Sequence, residues 1–367
     1  MILVVISFVV TALVGVFFIT NYQNLGKMLE VAAVIKTQYL EDVSVKQIMA
    51  GAVRGMVESL DDPYSVYMDQ EEYEEFRHHI EGSIGGIGIY VSVKDDKFVV
   101  FSVIENTPAS KAGLLKGDII FKVNQKLASE MDVDEAVAKM RGEPGTEVEI
   151  SVLREGKLKD FTVVRDIIDI PTVESEVLPG EIGYLQLKLF ASNSDEAVVE
   201  HLAKLQQEKI KGLIFDLRDN PGGDLEAAVN IARYFVPQGP VVYIVDKKGH
   251  TESMLNKQPV QLGVPVVVLI NEGSASASEV LAGAIKDTNS GILIGEKSFG
   301  KALVQVLIEM RGKDALKLTT AKYLTPNKHD IQTKGIEPDI EVVWGNVAEE
   351  DPQLQKALEV LEKQLEP

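Results

Sequence analysis

Hydrophobic residues are spaced differently along successive stretches of this chain, and each spacing predicts a different element. Ile2 to Thr20 carries no charge, and the first charged residue is Lys27. That run is close to the roughly 20 apolar residues that span a bilayer. It reads as a membrane anchor, with a cleaved signal peptide and a buried helix as competing readings. No Lys or Arg precedes it, so flanking charge does not orient it. From Asn24 to about Gly82, LGKMLEVAAVIKTQYL and SVKQIMAGAVRGMVESL repeat apolar residues at three- and four-residue intervals, which predicts helices. Asp62-Pro63-Tyr64-Ser65 ends the second as a turn. The plain expectation for this arm is that it packs or dimerises.

From Ser83 to Arg165 the texture changes. IGGIGIYV and KFVVFSVI run or alternate like strands, VDEAVAKMRG reads as a short helix, and a hairpin is expected around Glu155-Gly156. From about Ile170 to Trp344 the strands GYLQLKLF, IKGLIFDL, VPVVVLI and GILIGE alternate with the helices DEAVVEHLAKLQQE, DLEAAVNIARYFV and SEVLAGAIKD. That alternation predicts an α/β core with a largely parallel sheet. ALKLTTAKYLTP adds a later strand, and Glu349 to Pro367 reads as a helix available for an oligomer contact. The expected division is 1–20 anchor or signal segment, 21–82 helical region, 83–168 β-rich module, 169–345 α/β core and 346–367 terminal helix.

Composition narrows the functions. A net charge of -19 over 367 residues argues against nucleic acid, which needs clustered Lys and Arg. There is no cysteine, so disulfides, thiol catalysis and cysteine zinc sites are excluded. The five histidines, His78, His79, His201, His250 and His329, include no HExxH pair. No metal and no cofactor is expected.

Two loops leave strand ends, where open α/β sheets place their sites. The first, Arg218 to Asp224, contains Gly222 and Gly223, whose N–H groups suit an oxyanion hole; a Pro-Gly turn into a helix capped by Asp224 is the plain alternative. The second, NEGSASASEV, carries Ser274, Ser276 and Ser278. A serine at a strand-to-helix turn is a common nucleophile position. Yet Ser276-Ala-Ser-Glu279 also fits a capping box, and small alternating residues also permit close packing. A base is needed. His329 lies near a strand end. Lys301, in GEKSFGKALVQ, is the other candidate, although it also reads as a solvated loop lysine. A lysine accepts a proton only when neutral, and bringing such an amine from about 10.4 to about 7 takes roughly 4.6 kcal/mol of destabilised charge. Phe299, Leu303 and Val304 are apolar neighbours compatible with that. Gln305 could share a face with Lys301 and orient its amine without restoring the charge.

The middle segment resembles a PDZ domain through Thr107-Pro108-Ala109, Ala112-Gly113-Leu114, Gly117-Asp118-Ile119-Ile120 and Val123-Asn124. Gly85-Gly86-Ile87-Gly88 then looks like the loop whose N–H groups hold a peptide's terminal carboxylate while the peptide adds as a strand. A tight turn entering a strand is the alternative. LDDPYSVYM, DLRDNPGG, GSASASEVLAGAIKD, GEKSFGKALVQ and TAKYLTPNKHDIQTKGIEPDIEV follow in order around this insert. With them the chain resembles the C-terminal processing peptidases, or tail-specific serine proteases.

That resemblance implies a crotonase- or ClpP-like protease core with an inserted PDZ-like domain, an N-terminal helical arm and a transmembrane helix. It implies Ser276 as nucleophile, Lys301 as base and Gln305 as orienting amide, with the N–H of Ala277 and that of Gly222 or Gly223 as oxyanion donors. Gly85, Gly86, Ile87 and Gly88 are the implied peptide-binding loop, and Arg141 a residue coupling that module to the core. It further implies protein substrates with free, nonpolar C-termini, a module that moves from blocking to open on binding peptide, a homodimer through the terminal helices, and a membrane-anchored enzyme facing outside the cytoplasm. One departure from the family pattern is Gly300-Lys301-Ala302, where a second glycine is usual; a methyl there is expected to restrict the loop. Two other readings remain: a peptide-binding scaffold on an inactive core, and an unrelated hydrolase using Ser276 with His329 and an aspartate.

Overall fold

The computed structural model describes residues 24–94, 97–344 and 351–366. The expected anchor, residues 2–20, lies outside them. Among the described residues no helix is long and apolar enough to cross a membrane. The chain forms two compact units, one of residues up to Asp69 with Val306–Leu318, the other of Gln70–Gln305 with Thr319–Pro367.

In the first unit α1 covers 24–38 and α2 covers Val45–Glu58. Ser44 caps α2, its Oγ accepting from Gln47 N while the Gln47 side chain accepts from Ser44 N. The expected break after α2 is a turn on Asp62, which takes the Tyr64 N–H and the Ser65 hydroxyl. The pattern did not announce β1 (Val66–Met68), which pairs antiparallel with residues 315–317. Tyr67 donates to Asp314 at 2.6 Å, and that bond raises its pKa to about 12.

The second unit opens with α3 (Gln70–Ile80) and holds both remaining domains. The β-rich module consists of β2 (Ser83–Gly86), β3 (Ile89–Lys94), β4 (Lys97–Val103), α4 (Pro108–Ala112), β5 (Ile119–Val123), β6 (Lys126–Leu127), α5 (Val133–Met140), β7 (Glu147–Arg154) and β8 (Lys157–Val164). β7 and β8 form the expected hairpin over Glu155-Gly156. The sheet runs β3-β4-β5-β7-β8 and closes over its own core of Val100, Ile120, Val148, Ile150 and Val152. β2 pairs antiparallel with β9 (Asp166–Asp169), so the chain enters and leaves the module through neighbouring strands.

The α/β core continues with β10 (Val173–Leu178), β11 (Ile182–Leu187), α6 (Ser194–Gln207), β12 (Gly212–Asp216), α7 (Leu225–Ala232), β13 (Gly239–Asp246), β14 (Thr251–Asn256), β15 (Val266–Ile270), α8 (Ala277–Asp287), β16 (Ile292–Gly295), β17 (Leu303–Glu309), β18 (Ala315–Leu324), β19 (Ile340–Glu341) and α9 (Pro352–Leu365). Its main sheet runs β10-β11-β12-β15-β16-β19, parallel except for β10. β12 and β15 are wholly buried because helices cover both faces, which is why they read as unbroken apolar runs. On one face lie α6, α7 and α8, and on the other α9 seats Ala357 and Leu361 against Ile182, Ile214 and Val267. The β13–β14 hairpin and β17 are additions to the expected elements; β17 begins inside the stretch read as a glycine-bearing loop.

Candidate active site

β15 stops at Ile270 and α8 starts at Ala277, with the serine loop between them. Ser276 sits there at φ 56° and ψ -114°, a backbone conformation that costs a non-glycine residue on the order of 1–3 kcal/mol. The surroundings enforce it. Ser274 Oγ donates to Leu217 O at 2.7 Å and accepts from Asn271 N at 3.0 Å. Ser278 Oγ donates to Asn220 O at 2.9 Å, and Ala275 N donates to the same carbonyl at 3.0 Å. Ser274 and Ser278 are therefore buried and spent on the backbone of the neighbouring loop. Ser276, between them, stays half-buried, with its side chain at the elbow.

Lys301 approaches from the loop after β16. Gly300 has φ 92°, and a Cβ there would come 2.8 Å from Gly335 N, so the glycine is required. Phe299 N donates to Ser274 O at 3.0 Å, tying this loop to the serine loop. Ala302 is fully buried, gives its N–H to Gln332 Oε1 at 2.7 Å and accepts from Tyr323 N at 2.9 Å. It is not among the residues with positive φ, so the methyl is accommodated as core and does not strain the loop. Gln305 lies on β17, and its Nε2 donates to Thr319 Oγ1 at 3.2 Å.

Two residues unassigned by the sequence join Ser276 to Lys301. The fully buried Glu279 carboxylate accepts four hydrogen bonds. Oε1 takes Ser298 Oγ (2.6 Å) and Gly300 N (2.7 Å), and Oε2 takes Ser276 N and Lys301 N (2.9 Å each). Burial nevertheless pushes its pKa above the ordinary glutamate value, against the pull of those donors. The Tyr323 hydroxyl shares its proton between Ser276 O at 3.0 Å and Lys301 O. Burial, reinforced by the Glu279 charge, keeps that phenol protonated far up the pH scale. The capping-box pattern was the one signal for Glu279; that plain reading and the functional one turn out to be the same contact. Tyr323 was marked only as part of the TAKYLTPNKHDIQTKGIEPDIEV stretch, with no role attached, because it arrives from β18.

The glycine loop completes the site. Asn220 is fully buried, donates to Leu187 O at 2.7 Å and accepts from Gly222 N at 2.9 Å. Gly222 thus spends its N–H inside its own loop. It still abuts Ser276, since a Cβ there would lie 2.8 Å from both Ala277 N and Ser276 Cβ. Gly223 has φ 134°, and a Cβ on it would fall 2.2 Å from Phe190 O. Among the expected oxyanion donors, Gly222 is thus engaged by Asn220, while Ala277 opens α8, where helix N–H groups lack intrahelical partners. The rival base, His329, is turned to Asp287, 3.5 Å away, with its side chain 67 % exposed.

In the β-rich module, Gly86, Ile87 and Gly88 line one cavity with Met140 and Arg141 from the end of α5. Gly85 belongs to β2 and packs on the Gly142 carbonyl, which a Cβ would approach to 2.4 Å. The four-residue stretch is thus half strand and half loop.

The profile described as peptidase family S41 matches residues 181–342, the PDZ domain profile 85–164, and the profile of the activating protease CtpB N-terminal domain 17–72. The carboxy-terminal processing protease CtpA of Bacillus subtilis is 39 % identical over 308 residues, covering 83 % of this chain and 66 % of that protein. The carboxy-terminal-processing protease of Bartonella bacilliformis is 39 % identical over 333 residues, covering 88 % of this chain and 76 % of that protein. Among solved structures, the photosystem II D1 C-terminal processing protease superposes with a TM-score of 0.54 at 29 % identity, over 93 % of this chain and 92 % of the other. An α/β core with a serine elbow and an inserted PDZ domain defines a class of serine-type peptidase. This chain belongs to the carboxy-terminal processing proteases of peptidase family S41. It spans about two thirds of the length of the Bacillus subtilis relatives it matches.

Proposed function

We propose that this chain is a serine endopeptidase that takes hold of the free C-terminal tail of protein substrates through its PDZ domain and cleaves them with a Ser276–Lys301 dyad. Ser276 Oγ attacks the peptide carbonyl while the neutral Lys301 amine takes its proton. The N–H groups of Gly223 and Ala277 receive the developing oxyanion. The Lys301 ammonium then protonates the leaving amine, and water, deprotonated by the same amine, releases the acyl group. With its Nε2 engaged by Thr319, Gln305 has its amide oxygen left to accept a hydrogen bond from the Lys301 amine and orient it.

The observation that carries this reading is the double clamp of Glu279 and Tyr323. It fixes the backbone of nucleophile and base to one another from both the N–H and the carbonyl side. The glycine-lined cavity beside Arg141 supports capture of a terminal carboxylate, and the uncharged 2–20 segment supports a membrane anchor, with the extracytoplasmic side of the catalytic part following from the family resemblance. A homodimer is favoured through α1 and α2, which bury no residue, rather than through α9, whose apolar face is seated in its own core.

The test is digestion of unfolded peptides with free and amidated C-termini by wild type, Ser276→Ala and Lys301→Ala. Both variants are expected to be inactive, and amidation is expected to suppress cleavage. Near-wild-type cleavage by Lys301→Ala would remove the dyad.

A further inference from the structure

Arg165 is 9 % exposed and stands where the PDZ domain hands the chain back to the core through β9. Its guanidinium donates from Nε to Met140 O (3.2 Å), from Nη2 to Lys139 O (2.7 Å), and from Nη1 to Glu147 O and Thr146 Oγ1 (2.9 Å each). All four acceptors are neutral, and no carboxylate among the described residues forms an ion pair with it. Burial accordingly holds its pKa below the ordinary arginine value, yet a guanidinium keeps its proton at any working pH. A buried cation without an anion is costly, so its position calls for a purpose.

The acceptors suggest one. Lys139 O and Met140 O are the last carbonyls of α5, where the negative end of a helix dipole lies. That same end is a wall of the glycine-lined cavity, through Met140 and Arg141. A carboxylate entering there would meet repulsion from the helix end unless a positive charge stood behind it. Gly142 makes the room: it has φ 143°, and a Cβ on it would lie 3.1 Å from Arg165 Nε. Gly142 also gives its N–H to Gly85 O at 3.2 Å, so the braced turn is bonded to the strand that opens the glycine loop.

We propose that Arg165 is the fixed counter-charge of the carboxylate site: it cancels the negative end of α5 and braces the Arg141-Gly142 turn, so that the glycine loop accepts an anion. This rests on the reading of that cavity as a C-terminus receptor. Arg165 touches no substrate and is a positioning residue.

The experiment measures binding of a fluorescent decapeptide with apolar final residues, as free acid and as amide, to the full chain carrying Ser276→Ala. The parent is expected to prefer the acid. Arg165→Gln is expected to shrink the acid-to-amide preference about five-fold while leaving the amide's Kd nearly unchanged, and Arg165→Lys to retain most of it. Equal weakening of both peptides by Arg165→Gln would mean a structural role only and overturn the proposal, as would an unchanged preference. If Arg165→Gln does not fold, the folded Arg165→Lys variant decides: a kept preference supports the counter-charge, a lost one overturns it. A parent with no preference for the acid would instead overturn the reading of the cavity, and this proposal with it.

Discussion

The backbone N–H groups of Ser276 and Lys301 donate to one and the same oxygen, Glu279 Oε2, each at 2.9 Å. Ser276 and Lys301 come from loops after different strands, and this shared acceptor sets the relative position of their backbones. Glu279→Gln is nearly isosteric but turns one acceptor oxygen into a donor that faces two donors. A buried conflict of this kind costs about 3 kcal/mol, so kcat is expected to fall about 100-fold. Steady-state kinetics on protein with wild-type circular dichroism checks it; a kcat within three-fold or so of wild type would show that the clamp is dispensable.

Tyr323→Phe removes only the hydroxyl and leaves Ser276 O and Lys301 O without their common donor. Ser276 O keeps the N–H groups of Glu279 and Val280, whereas Lys301 O loses a donor, at a cost of roughly 1–3 kcal/mol. The expected result is a lower midpoint in urea together with about a ten-fold loss of kcat and little change in KM. A loss of stability with full activity would assign the tyrosine to the fold alone.

Gly223→Ala tests the close approach of the oxyanion loop. The new methyl would sit 2.2 Å from Phe190 O, and φ 134° strains any side chain. Either the loop moves or the fold loses stability, and in both cases peptide cleavage should fall at least about 100-fold, whereas peptide binding to the PDZ domain should persist. Fluorescence anisotropy with the same peptide used in turnover separates the two.

Much of this architecture was legible in the chain. β12 and β15 announced themselves as unbroken apolar runs, α8 by its period, and Ser276 by its place between them. The Ser276-Ala-Ser-Glu279 spacing even contained the clamp, although only as a helix cap. What stayed hidden depends on tertiary neighbours. Tyr323 and Gln332 lie 47 and 56 residues after Ser276, and only their place in the TAKYLTPNKHDIQTKGIEPDIEV stretch marks them, with no role attached. The Gly222 N–H looked equivalent to that of Gly223 until Asn220 was seen to occupy it. β1 is three residues long, too short for its alternation to register, and exists because residues 315–317 pair with it.

The PDZ domain carries its own pH signature. The buried Asp118 carboxylate would be pushed up by desolvation. The Arg154 guanidinium, bonded to it at 2.6 Å and 2.7 Å, and the Leu115 N–H at 2.9 Å outweigh that and hold it below its ordinary value of 3.8. A carboxyl depressed in the folded state contributes stability that is present above the unfolded pKa and is lost as pH falls through the folded one. Asp118→Asn should therefore cost about 3 kcal/mol near neutrality, and the gap to wild type should shrink as pH falls through the range below 3.8 in which the folded carboxylate protonates. Urea unfolding at several pH values reads this out; a gap that persists undiminished in acid would mean that packing, not charge, is at stake.

β2 and β9 run side by side and antiparallel, with Gly86 opposite Asp166 and Ser83 opposite Asp169. The two polypeptide crossings between the PDZ domain and the α/β core therefore form a single two-stranded stalk. Any domain whose own ends lie one strand apart could be spliced onto that stalk without rerouting the α/β core. Swapping the insert would then leave the strands and loops of the α/β core as they are, a route open to evolution and to the engineer alike.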